Sequence, residues 1–137
     1  MINEQKKILI IEDDTSTLES LQIKFTHAHI DVVSSKTGKE ALAILTSGAR
    51  FDLILLDLII PLGDGFWLLE EKRKNIDLAE VPVVVISNLD QPEHMKHAYA
   101  LGAIGYLVKA NHSVNEIVHI VEQCLNGESC TFDDLEA

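Results

Sequence analysis

Short uninterrupted apolar runs alternate along this chain with longer stretches whose apolar residues recur every three or four positions. Ile8-Leu9-Ile10-Ile11 is the first run, and it predicts a strand over Lys7 to Ile11. Leu18, Leu21 and Phe25 share a helical face, which predicts a helix from Thr15 to about His27. A weaker strand follows at Ile30 to Val33, then a helix from Thr37 to Leu45, where Thr37 and Glu40 have capping-box spacing. Asp52 to Leu56 reads as the most buried strand. Asp64 can cap a third helix running through Phe66, Leu69 and Arg73. Pro82 to Ile86 is a fourth strand, and Asp90 with Glu93 marks a fourth helix ending near Gly102. Ile104 to Val108 is a fifth strand, and Ser113 with Glu116 opens a last helix closing near Gly127.

Strand and helix thus alternate throughout. The strands are continuous Ile, Leu and Val rather than alternating, so both of their faces are buried. That predicts an α/β fold, a parallel five-stranded sheet between two layers of helices. The 137 residues, 47% of them hydrophobic, fit one domain. We place it at 1–127, with 128–137 as a short acidic tail expected to fray.

The net charge of −11 speaks against sequence-independent binding of nucleic acid, which needs clustered Lys and Arg. Cys124 and Cys130 have no Cys-x-x-Cys spacing and suit a reducing, cytoplasmic setting. No apolar run approaches the ~18 residues of a membrane span, and the N-terminal one is too short for a signal peptide.

The chemistry gathers where strands end. The first runs into Glu12-Asp13-Asp14, and the third delivers Asp57 just before the turn Pro61-Leu62-Gly63-Asp64-Gly65. The fourth ends at Ser87 and the fifth at Lys109. In open α/β sheets, ligands bind outside the carboxyl ends of the strands. Neighbouring strand ends lie ~5 Å apart, so Asp13 and Asp57 are expected to face one another. Like charges this close raise each other's pKa or recruit a cation, and oxygen-only ligands suit Mg²⁺. Each residue alone is ordinary: an acid in a loop, a hydroxyl capping a turn, a surface lysine. Their coincidence at one rim is what carries the reading.

As a set, Glu12-Asp13, Asp57 with Pro61 and Asp64-Gly65, Ser87, Tyr106 and Lys109 resemble the receiver domain of two-component response regulators over roughly residues 6 to 126. The resemblance implies a flavodoxin-like (βα)5 fold with strand order 2-1-3-4-5. It implies that Asp57 takes a phosphoryl group from a histidine kinase or a histidine phosphotransfer protein. Mg²⁺ would be held by Asp13, Asp57 and the Ile59 carbonyl, with Glu12 acting through water. Lys109 would offset phosphoryl charge. Ser87 and Tyr106 would switch the face built from the fourth helix, fifth strand and fifth helix toward a downstream protein target. The domain would be no enzyme beyond this self-phosphorylation and its reversal by hydrolysis.

Two positions depart from the family. Ala110 follows Lys109 where a cis-proline is usual; a cis bond before Ala costs ~3 kcal/mol, so a trans or strained bond is expected. Asn88 follows Ser87 where a small residue is usual, and is expected to narrow access to the phosphoryl group. Rival readings fare worse. An aspartyl phosphohydrolase wants a second acid where Ile59 stands. An FMN carrier wants a Ser/Thr/Gly-rich loop where Glu12-Asp13-Asp14 stands. A degenerate receiver serving only as an interaction module is the alternative that Ala110 and Asn88 keep in view. His94 and His97, one helical turn apart, lack a third metal ligand, and Trp67 lies close enough in sequence to report on the site.

Overall fold

The computed structural model describes residues 5–133. Its elements alternate as the sequence predicts: β1 (Lys7–Ile11), α1 (Thr15–His27), β2 (Asp31–Ser35), α2 (Gly38–Thr46), β3 (Leu53–Asp57), α3 (Gly65–Lys74), β4 (Val83–Ser87), α4 (Pro92–Ala100), β5 (Gly105–Val108) and α5 (Val114–Leu125), with a single 3-10 turn at Lys109–Asn111. The strands are all parallel, in the order β2-β1-β3-β4-β5. This is the flavodoxin-like three-layer sandwich.

The strand side chains divide cleanly between two cores. Ile8, Ile10, Leu53, Leu55, Val84, Ile86 and Leu107 pack with Leu21 and Phe25 of α1 and Val121 of α5. Leu9, Ile11, Ile54, Leu56, Val85 and Tyr106 pack with Leu45 of α2, Leu68 of α3 and Met95 of α4. Burial on both faces is why the strands show no polar alternation. Register then sets the site. Ile11 pairs with Leu56 across β1 and β3, so the next residues, Glu12 and Asp57, emerge side by side.

Local chemistry fixes most helix starts. Asp14 accepts from the Thr17 N–H at 2.9 Å, Asp64 from Trp67 at 2.9 Å, and Ser113 with Glu116 forms a complete capping box. The Thr37 box is half formed: Thr37 accepts from Glu40, but the Glu40 carboxylate reaches back to the Lys36 N–H. The expected start at Asp90 is corrected. Gln91 occupies the cap without a side-chain bond and Pro92 opens α4, its φ preset for the helix and its missing N–H leaving one donor fewer to satisfy. β2 runs two residues beyond its apolar part because Ser34 and Ser35 pair with Ile10 and Ile11.

The tail expected to fray makes contacts at its described end. The Phe132 ring covers Gly105 and Asp133 bonds to β5, while 134–137 lie outside the described residues.

Gly38 is demanded by close approach. A Cβ on Gly38 would lie 1.8 Å from the Gly63 carbonyl oxygen. The N–H groups of Gly38 and Lys39 donate to the Pro61 and Leu62 carbonyls, tying α2 to the loop behind Asp57. Gly38→Ala is therefore expected to cost about 1–3 kcal/mol, read as a lower urea midpoint at unchanged m-value. An unshifted midpoint would contradict this contact.

Candidate functional site

At the carboxyl rim, a cleft of about 390 Å³ is lined by Glu12, Asp13, Asp14, Thr17, Asp57, Ile59, Asn88 and Lys109. Three carboxylates define its floor and one wall: oxygens of Glu12, Asp13 and Asp57 lie within 4.8 Å of one another. Glu12 is 0% and Asp57 5% exposed, while Asp13 faces solvent. That is a donor set of hard oxygens with one open side, which suits a hydrated divalent cation.

Lys109 enters from β5. Its Nζ donates to Asp57 Oδ2 at 2.9 Å and makes a second, short bond to Glu12 Oε1. Among the described residues no peptide bond is cis, so the Lys109–Ala110 bond is trans and the ammonium still reaches the acids.

Electrostatics follow from burial. The Glu12 carboxyl is pushed up to about 7, first by loss of solvent and further by the Asp57 charge, although its bond from Lys109 pulls the other way. One ammonium shared between two carboxylates compensates them only in part. Burial disfavours the charged Lys109, but its bonds to Glu12 and Asp57 outweigh that and hold its pKa above the ordinary lysine value.

Of the residues singled out in the sequence, Glu12, Asp13, Asp57, Ile59 and Lys109 meet at this cleft. The Ile59 N–H donates to Asp57 Oδ1 at 3.2 Å, which steadies the carboxylate. Ser87 is buried beside the cleft rather than lining it, and its Oγ accepts from the Leu89 N–H at 3.2 Å. Tyr106 is wholly buried, its hydroxyl donating to the Leu89 carbonyl at 2.6 Å. Both therefore grip the same residue of the β4–α4 loop. Sequence reasoning did not single out Leu89, which carries no side-chain signal because only its backbone is used. It also missed Thr17, whose spacing from Asp14 is that of a helix cap. Trp67 is half-buried against Gly63 and does not line the cleft. The His97 ring stacks on Phe66 with centroids 4.4 Å apart, an α3–α4 contact.

A family model described as the response regulator receiver domain matches residues 8–122. The chain belongs to the response regulator receiver family. Receiver domains accept a phosphoryl group within two-component signalling. The receiver domain of Francisella response regulator 1452 has a TM-score of 0.81 to this one at 29% identity, covering 90% of this chain and 98% of that one. The phosphorylated cyanobacterial phytochrome response regulator RcpA gives 0.77 at 30% identity, covering 88% and 91%. The Mn²⁺-bound form of response regulator Rcp1 gives 0.80 at 28%, covering 94% and 99%.

Among curated relatives, the transcriptional regulatory protein CrdR of Helicobacter pylori is 38% identical over 105 residues, which are 77% of this receiver chain and 48% of CrdR. The probable transcriptional regulator ycf29 of Porphyra purpurea is 29% identical over 129 residues, 94% of this chain and 61% of the relative. This receiver chain thus spans about half the length of the curated relatives it matches. No helix among the described residues is long and apolar enough to cross a membrane.

Proposed function

We propose that Asp57 is the phosphoryl acceptor. One carboxylate oxygen attacks phosphorus of a donor phosphohistidine, the P–N bond breaks, and an acyl phosphate forms on Asp57. The observation that carries this reading is the Asp57 carboxylate held by Lys109 at 2.9 Å in a cleft walled by two further acids. The ammonium offsets charge on the transferring phosphoryl oxygens, and positioning with electrostatics is most of what such a transfer requires. Glu12, Asp13, Asp57 and the carbonyl of Ile59 are the groups that would hold Mg²⁺. A bound divalent ion supplies charge neutralisation for the same oxygens. Hydrolysis of the acyl phosphate ends the signal, and no other enzymatic activity is invoked.

Ser87 and Tyr106 form the switch in this reading. A phosphoryl oxygen on Asp57 accepts from the Ser87 hydroxyl and draws it away from the Leu89 N–H, and the β4–α4 loop then moves relative to Tyr106. That biases an existing equilibrium at the face of α4, β5 and α5. The donor is a histidine kinase or histidine phosphotransfer protein in the cytoplasm. Exposed Ile59 and Leu62 beside the cleft offer it an apolar landing. The target is a protein surface, on a separate chain or on a domain like those in the unmatched half of the regulators above. The receiver body is residues 1–127, with 128–137 appended to it. The intact acid cluster with Lys109 favours this over an interaction-only module.

Incubation with a small phosphodonor and Mg²⁺ is expected to add one acid-stable, base-labile phosphate, and chelator is expected to prevent it. The raised Glu12 carboxyl gives a second expectation. Its folded-state pKa of about 7 lies above the ordinary value near 4.3, so its stabilising contribution is fully present below about 4.3 and is lost as pH rises through about 7. A divalent ion reverses that loss, but below pH 7 it competes with the proton. The apparent Mg²⁺ affinity is expected to fall about tenfold from pH 8 to pH 6. Thermal melts across a Mg²⁺ titration at each pH measure it, and equal affinities would contradict the assignment.

A further inference from the structure

Ala110 lacks the restraint of a proline, and the turn Lys109–Asn111 buries none of its own residues. Its internal tie, from the His112 N–H to the Lys109 carbonyl, is long at 3.3 Å. Yet Lys109 is aimed at both acids. The brace comes from the C-terminal segment. β5 is the edge of the sheet, so its outward backbone groups need partners from elsewhere. Asp133 supplies them. Its N–H donates to the Tyr106 carbonyl at 2.9 Å, and its Oδ2 accepts from the Val108 N–H at 2.6 Å. Its Oδ1 bonds the His112 ring Nε2 at 2.8 Å. One carboxylate therefore holds the residue before Lys109 and the residue that closes the turn.

Phe132, the residue before it, seats the segment that carries Asp133. The Phe132 ring lies so close over Gly105 that a Cβ there would sit 2.2 Å from its edge, and it packs against the α1/α5-side core. The free Cys124 and Cys130 side chains lie against each other where the segment turns back from α5.

We infer that Asp133 is a positioning residue for Lys109. It restrains the β5–α5 turn in the way a prolyl bond would. The inference rests on the reading of Lys109 and Asp57 given above. It places in the phosphoryl-transfer machinery a residue lying beyond the stretch that the family model matches.

The test is a set of initial rates of phosphorylation from phosphoramidate at saturating Mg²⁺. Asp133→Ala is expected to slow kcat about tenfold, with the donor KM unchanged. Asp133→Asn keeps an oxygen for Val108 and an NH₂ for the His112 ring, and is expected to stay within about twofold of wild type. The decisive comparison is in a Lys109→Ala background, where Asp133→Ala is expected to cost nothing more, because the two act as one unit. Should Asp133→Ala fail to fold, His112→Ala removes one bond only and is expected to show the same dependence on Lys109 at about threefold. A wild-type rate in Asp133→Ala, or the same loss with and without Lys109, would overturn the inference. A wild-type rate in Lys109→Ala alone would overturn the reading beneath it.

Discussion

Asp57→Asn is expected to take up no base-labile phosphate from any donor, a loss of at least ~10³-fold, while the fold stays intact. The amide is not a nucleophile, but it is nearly isosteric. Its oxygen can still accept from the Ile59 N–H or from Lys109, the two contacts that Asp57 makes. Removing the charge also removes one of the two influences that push the Glu12 carboxyl up. The metal-free variant is therefore expected to melt at or above the wild-type temperature. Loss of phosphorylation with lost stability would mean that Asp57 is structural first. Thermal melts beside the phosphorylation assay separate the cases.

Lys109→Ala is expected to be worse than Asp57→Asn for the fold and severe for the chemistry. It strips the shared ammonium from Glu12, which is 0% exposed, and from Asp57. Breaking a buried pair from one side costs about 3–5 kcal/mol, because the remaining charge is left uncompensated. The Lys109 bond holds the Glu12 pKa down, so without it that carboxyl rises beyond about 7. Protonated Glu12 needs no partner. The stability gap to wild type is thus expected to be widest above pH 7 and to narrow as pH falls. Glu12→Gln in the same chain is expected to recover most of it. The phosphorylation rate is expected to drop about 10²–10³-fold, the usual consequence of removing one charge stabiliser. A gap independent of pH would show that Lys109 supports the fold by packing alone.

The fold was legible because its signal is redundant. β1, β3, β4 and β5 each carry an unbroken apolar run, and each run stops at a residue whose chemistry differs from the rest. Glu12, Asp57, Ser87 and Lys109 are visible because parallel strands deliver all their ends to one rim. What the sequence hid is of another kind. β2 extends through Ser34 and Ser35, where pairing with β1 outweighs the lack of apolar side chains. Leu89 serves both Ser87 and Tyr106 through its backbone, and backbone groups leave no trace in residue type. Asp133 lies 24 positions beyond Lys109 in an acidic stretch that reads as solvated. Only the geometry of an edge strand with unpaired groups brings it back. The departure at Ala110 was visible, but its remedy was not.

The most direct measurement is peptide mapping of the protein after incubation with phosphoramidate and Mg²⁺. If loops distant in sequence converge to make Asp57 the acceptor, the phosphoryl group is expected on the peptide carrying Asp57, and on no peptide in the presence of chelator. A phosphate recovered on Ser87 or on a histidine would contradict the site described here.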